Sequence, residues 1–250
     1  PTPVIPSKPT TTNQPAVPNN VAKKGEAVYA LKHIYLYQSN NFTKGGRKFS
    51  YVKKPRVNRP MFVVTDYKYS KNHVLRYKVR DVNHHSKSAG MTGYITANTN
   101  YVRPVYYHSK HSTLTVINPK GVNEYTKKDL TGKVKNFKQG TQLKVKGFVK
   151  HNLTTRYLLS NGHYITGNRK LVQAGKVKQP KRVVIKHKVY RYTNANFTKR
   201  KGSIAKGTKL NIKRYTFSYP TSTTKSGTKR FAVKGGYITA NAKYVKVYYK

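Results

Sequence analysis

The sequence predicts an all-β protein of three repeated modules, preceded by an extended Thr/Pro-rich linker. Three observations carry that expectation. One set of motifs recurs three times in the same order, the apolar residues alternate with period two, and Gly, Asn, Ser and Pro punctuate the chain at short intervals.

The linker comes first. Residues 1–26 are rich in Pro and Thr and contain no aromatic residue. Such a stretch reads as an extended, polyproline-like spacer. It carries three Lys and one Glu, so nearly all of the net charge of +47 belongs to the residues that follow. The modules are expected at 27–110, 111–175 and 180–250, the first of them lengthened by an insertion around Asp81–Ser88.

Four motifs define the repeat. Tyr37-Gln38-Ser39-Asn40-Asn41-Phe42-Thr43-Lys44 matches Tyr192-Thr193-Asn194-Ala195-Asn196-Phe197-Thr198-Lys199, with a partner running from Tyr125 through Leu130-Thr131-Gly132-Lys133. Gln139-Gly140-Thr141-Gln142-Leu143-Lys144-Val145 matches Lys206-Gly207-Thr208-Lys209-Leu210-Asn211-Ile212, and Arg59-Pro60-Met61-Phe62-Val63-Val64 takes that place in the first module. An Arg precedes an aromatic at Arg76-Tyr77, Arg156-Tyr157 and Arg230-Phe231. The closing motif is Gly93-Tyr94-Ile95-Thr96-Ala97-Asn98, His163-Tyr164-Ile165-Thr166-Gly167-Asn168 and Gly236-Tyr237-Ile238-Thr239-Ala240-Asn241, and a basic, apolar tail follows each copy.

Within a module the strands are short. At Ile34-Tyr35-Leu36-Tyr37 and Val189-Tyr190-Arg191-Tyr192, Leu36 aligns with Arg191 and Tyr37 with Tyr125 and Tyr192. The recurring Tyr is therefore expected inward and the Leu36/Arg191 face outward. Leu143-Lys144-Val145 and Leu210-Asn211-Ile212 alternate as half-buried strands. No amphipathic helix is evident. Five or six short strands per module point to a small SH3-like barrel, and three such barrels in tandem to an extended array.

Charge bounds the function. There are 52 Lys and Arg against five acidic residues (Glu26, Asp66, Asp81, Glu124, Asp129), and the mean hydropathy is −0.77. So few carboxylates leave like-charge repulsion uncompensated, which a polyanionic partner would relieve with release of counterions. Twenty-two Tyr and eight Phe argue for folded cores rather than a disordered basic tail. The absence of Cys excludes disulfides, zinc–thiolate sites and cysteine nucleophiles. No apolar run approaches the ~18 residues of a membrane-spanning helix. The chain starts without Met or a signal peptide, and it is expected to be the C-terminal piece of a longer exported protein.

The segment Ala30–Tyr37, the runs Arg59–Thr65 and Arg76–Asn83, and Gly93–Asn98 resemble the C-terminal surface-anchoring repeats of lactobacilli, related to the S-layer-protein anchoring (SLAP) domain. That domain's opening Val-Tyr strand, Lys-Gly turn and closing Tyr-Val-Lys are echoed in the second and third modules. The resemblance implies a secreted, wall-associated protein of a Gram-positive bacterium, held non-covalently by teichoic or lipoteichoic acid. No Leu-Pro-x-Thr-Gly sortase signal is present, in keeping with non-covalent attachment.

The candidate polyanion contacts are Arg76, Arg156 and Arg230, whose guanidinium forks suit phosphate, together with Arg103, Lys170 and Lys246 in the closing tails. Tyr94, Tyr164 and Tyr237 are candidates for stacking on a glycerol or sugar unit if Ile95, Ile165 and Ile238 face the core; the reverse orientation is equally open. Asn98, Asn168 and Asn241 read as turn residues, as do Asn41, Asn152 and Asn196 in their Asn-x-Thr sequons. His84-His85 has no third ligand at a defined spacing, so no metal and no cofactor is expected. Catalysis is disfavoured because the third module has no carboxylate and no nucleophile elbow or phosphate loop occurs. Two alternatives to wall anchoring stand. One is an adhesin for host polyanions or mucin. The other is a nucleic-acid-binding array, non-specific at most, since no recognised nucleic-acid-binding motif is present.

Overall fold

The computed structural model describes residues 21–250, so most of the expected linker lies outside the described residues. Its last residues belong to the first unit. Ala22 is fully buried; its amide donates to the Tyr77 hydroxyl (2.9 Å) and its carbonyl accepts from Tyr67 Oη (2.7 Å).

The described chain is all-β apart from two short 3-10 turns, and its strands pair antiparallel. The first unit contains β1 (Ala27–Ala30), β2 (Ile34–Tyr37), β3 (Arg47–Tyr51), β4 (Met61–Tyr69), β5 (Leu75–Asp81), β6 (Thr92–Thr96) and β7 (Val102–Pro104), in sheet order β3-β2-β6-β5-β4-β1-β7. The second repeats it with β8 (Thr113–Val116), β9 (Val122–Tyr125), β10 (Lys133–Phe137), β11 (Gln142–His151), β12 (Thr154–Leu159), β13 (Tyr164–Thr166) and β14 (Val172–Ala174), in order β10-β9-β13-β12-β11-β8-β14. The third has β15 (Pro180–Ile185), β16 (Val189–Tyr192), β17 (Arg200–Ile204), β18 (Lys209–Asn211), β19 (Arg214–Phe217), β20 (Lys229–Val233), β21 (Gly236–Thr239) and β22 (Val245–Tyr249). There the sheet divides into β18-β15-β22 and β17-β16-β21-β20-β19.

One long strand explains both forms. β4 shifts register between Val64 and Asp66, and β11 between Val145 and Gly147. At the matching place, Ile212-Lys213, the third unit's strand breaks into β18 and β19. A bulge bends a strand; β4 pairs with β5 on both sides of its bulge, from Phe62 to Tyr69, while β1 pairs only with its first residues, Met61–Val63. Each unit closes over its own apolar cluster, centred on Tyr51, Phe62 and Ile95, on Tyr157 and Ile165, and on Phe231 and Ile238.

Instead of forming the expected extended array, the first and third units touch. Lys54, in the loop between β3 and β4, is buried, and its ammonium donates to the carbonyls of Tyr219 (2.8 Å), Lys225 (2.9 Å) and Ser222. Val52 N donates to Thr223 O (3.1 Å), and the Ser88 and Thr223 hydroxyls lie 3.2 Å apart. The same loop reaches the second unit, where Arg56 Nη2 donates to Tyr107 Oη (2.9 Å) and Lys170 Nζ donates to Arg59 O (2.6 Å). Gln139 joins the second unit to the third by bonds to both backbone groups of Tyr215. The three units form a closed set of contacts.

Candidate functional site

The alternation that builds the cores decides which side chains remain outside. Ile95, Ile165 and Ile238 are fully buried, and Tyr94, Tyr164 and Tyr237 are half-buried on the opposite face. On β2 the expected orientation is reversed. Leu36 is fully buried and Tyr37 faces out; Glu124 is buried at the Leu36 position of the second unit, while Tyr125 and Tyr192 are half-buried like Tyr37. The recurring Tyr residues meet across the strands as Tyr37–Tyr94, Tyr125–Tyr164 and Tyr192–Tyr237. The next strand brings the arginines, in register with the motif threonine: Arg76 beside Thr96, Arg156 beside Thr166 and Arg230 beside Thr239.

In the first and third units these residues join a stack. The Phe42 ring lies parallel to Tyr37 at 3.9 Å and 8°, with the Arg76 guanidinium 4.0 Å from the Phe42 centroid. Phe197 repeats this on Tyr192 at 4.0 Å and 7°, with Arg230 at 3.9 Å. Phe197 achieves it with φ +62°, a left-handed conformation costly for a bulky residue. Asn194 braces that turn, its carbonyl accepting from Phe197 N and its amide donating to Thr198 Oγ1 (2.6 Å). Burial lowers the pKa of Arg76 and Arg230, yet a guanidinium remains charged at neutral pH.

Each stack forms one wall of an open cleft. The first, of about 230 Å³, is lined by Tyr35, Tyr37, Phe42, Tyr101, Arg76 and His33 among others. The second, about 260 Å³, is lined by the matching Tyr190, Tyr192, Phe197, Tyr244 and Lys188. Further cations cap the rings, Arg47 4.0 Å from Tyr35 and Arg200 3.7 Å from Tyr190. No acidic residue lines either cleft.

The second unit is different. Asn123 stands where Tyr35 and Tyr190 stand, Leu130 replaces the Phe, Leu171 replaces Tyr101 and Tyr244, and Gly121 replaces His33 and Lys188. Arg156 is buried there, donating from Nε to Lys128 O (3.1 Å) and from Nη1 to Thr155 O (2.9 Å), so the surface role expected for it does not fit its place. Lys170 likewise faces the junction, where burial lowers its pKa to about 8. Arg103 and Lys246 are exposed, Lys246 lying 5.4 Å from the Tyr248 ring and outside the clefts. Sequence reading missed Tyr35, Tyr190, Tyr101, Tyr244, Arg47 and Arg200. The spacing Tyr35-Leu36-Tyr37 and Tyr190-Arg191-Tyr192 held the clue, since alternation puts both rings of each pair on one face.

Among the described residues no three His, Cys, Asp or Glu side chains are grouped to hold a metal, and no helix is long and apolar enough to cross a membrane. No curated protein matches the chain. A family model matches residues 106–172 and 177–245, the second and third units and more than half of the sequence, and the chain therefore belongs to the family described as "Domain of unknown function (DUF5776)".

Proposed function

We propose that this chain is the non-catalytic wall-binding region of a secreted bacterial surface protein. In this reading each unit is a small SH3-like barrel, related to the surface-anchoring repeats of lactobacilli and to the S-layer-protein anchoring domain. Attachment is non-covalent, to an anionic wall polymer such as teichoic or lipoteichoic acid. The observation that carries the reading is the pair of clefts in which half-exposed aromatic rings lie beside arginines, on a chain with 52 basic and five acidic residues. A polyol phosphate offers both complements, C–H surface for the rings and phosphate for the guanidinium groups.

Arg76, Arg230 and the exposed Arg103 and Lys246 are the proposed polymer contacts, with Tyr94 and Tyr237 bordering the stacks; Arg156 serves the fold of the second unit, and Lys170 its junction with the first. The same surface would also attract sulfated host glycans, the basis of an adhesin. A competition assay separates these readings. Purified teichoic acid should displace the chain from immobilised wall polymer at far lower phosphate concentration than heparin at equal sulfate, or than single-stranded nucleic acid at equal phosphate. Equal displacement by all three would reduce the interaction to unspecific charge and sink the anchor reading.

A further inference from the structure

The two clefts are near-duplicates while the intervening unit has lost the site. Between the first and third units the correspondence runs ring by ring: Tyr35 with Tyr190, Tyr37 with Tyr192, Phe42 with Phe197, and Tyr101 with Tyr244. Burial in a core does not account for them, since Tyr101 and Tyr244 are 40% and 36% exposed. The losses in the second unit are concerted, three of the four rings being replaced by Asn123, Leu130 and Leu171, although its strand order and core match the others. A ring needed only for stability would have no reason to go in company with the others that face the same space.

Resting on the anchor reading, we propose that the clefts of the first and third units form one bivalent receptor, each holding a single repeat unit of the same polyol phosphate chain. The lining supports the ligand class. Arg76 and His33 line the first cleft and Lys188 the second, while Arg47, Arg200 and Arg230 stack on lining rings beside them, so cations for phosphate stand next to C–H-binding aromatic surface. Volumes of about 230 and 260 Å³ hold one small alditol or sugar phosphate rather than an oligomer. The second unit acts as a spacer, and the buried Lys54 clamp on the Tyr219–Lys225 loop fixes the third unit against the first. A fixed separation raises the effective concentration of the second site once the first is filled, which strengthens overall binding by about 10²–10⁴-fold when the geometry fits.

The test uses the full chain, poly(glycerol phosphate) as polymer, inorganic polyphosphate as a control of matched charge without C–H surface, and glycerol phosphate as the single unit. Tyr35→Ala with Tyr101→Ala removes one cleft, and Tyr190→Ala with Tyr244→Ala removes the other; circular dichroism checks each fold. Either single-cleft variant should lose on the order of 10²-fold in polymer affinity. Its affinity for polyphosphate should stay within about twofold. NMR titration with glycerol phosphate should perturb two sites in the parent chain and one in each variant. Lys54→Met should leave the two glycerol phosphate sites intact and weaken polymer binding alone. Polymer binding that survives loss of both clefts would overturn the cleft assignment and leave the anchor reading standing. A polymer affinity unmoved by Lys54→Met, or single-cleft losses of only about twofold, would overturn bivalency. Failure of the parent chain to bind poly(glycerol phosphate) better than polyphosphate would remove the polyol specificity on which both rest.

Discussion

Arg76, Arg156 and Arg230 occupy one repeat position, and their surroundings give them different work. Arg76 and Arg230 lie on Phe42 and Phe197 at the edge of an open cleft, whereas Arg156 bonds two carbonyls and is buried. Replacing Arg76 and Arg230 with Gln should weaken polymer binding and flatten its dependence on salt, because fewer counterions are released. Arg156→Gln should instead cost about 1.5–3 kcal/mol of stability, the range for hydrogen bonds to charged groups, and leave the salt slope unchanged. Thermal unfolding and a salt series on the same variants distinguish the two effects. An Arg before an aromatic was legible in the sequence as a recurring unit, but the division of roles was not. It depends on Phe42 and Phe197 being matched by Leu130, a neighbour brought in by a turn rather than by the strand.

Among the elements, β2 and β6 with their counterparts show why alternation alone misjudged a face. The repeated Tyr37, Tyr125 and Tyr192 look like core because they recur, and Arg191 looks like surface because it is charged. The reverse holds for a steric reason. At Gly93 an added Cβ would stand 2.5 Å from Tyr37 O and 2.9 Å from Leu36 Cγ, and at Gly236, φ +155°, it would stand 2.3 Å from Tyr192 O. Leu36 and Arg191 lie over these glycines, the aliphatic stem of Arg191 covering backbone as a hydrophobic residue would. In the second unit the glycine is His163 and the facing residue is Glu124, and the pair is linked at 3.1 Å, with Asn161 at 2.5 Å and Lys135 at 3.5 Å. Burial alone would raise the pKa of Glu124, but these partners hold it below the usual range. The three units thus solve one close approach in three ways, as Leu–Gly, Glu–His and Arg–Gly. Gly93→Ala and Gly236→Ala should each destabilise by roughly 1–3 kcal/mol, the cost of overpacking. Chemical denaturation measures it, and an unchanged midpoint would mean that the strands can separate to admit the methyl group.

Across the whole molecule, the all-β class and the repeat number were readable from period and punctuation, since those are local properties, but the strand number was not: the units have seven, seven and eight strands where five or six were expected, because short edge strands such as β7 and β14 carry too few residues to show a period. Contact between the first and third units was not readable either, because it depends on Lys54 and on backbone carbonyls that any sequence supplies. The closed arrangement also has a signature in pH. Burial lowers the pKa of Lys54 from an ordinary 10.5 to about 8, and burial, with the charges of Lys54 and Arg59, does the same for Lys170. Between about pH 8 and 10.5 the unfolded chain holds protons on these groups that the folded chain has released, so stability rises with pH through that window. Burial raises the pKa of Tyr51, Tyr77, Tyr157 and Tyr215 above the ordinary 10, so stability falls again once the unfolded tyrosines ionise above about pH 10. The melting temperature should therefore climb from neutral pH to a maximum near about pH 10. Lys54→Met with Lys170→Met should reduce the rise to the part that Lys229, likewise lowered by burial, contributes, without moving the fall.

Whether the clefts and the charge hold the chain to anionic wall polymer can be read from co-sedimentation with Gram-positive cell walls across a salt series, before and after chemical removal of teichoic acid. The chain should bind intact walls strongly, lose binding steeply as salt rises, and cease to sediment with the walls once the polymer is stripped. Undiminished binding to stripped walls would contradict the anchor reading and move the ligand to peptidoglycan or to a wall protein.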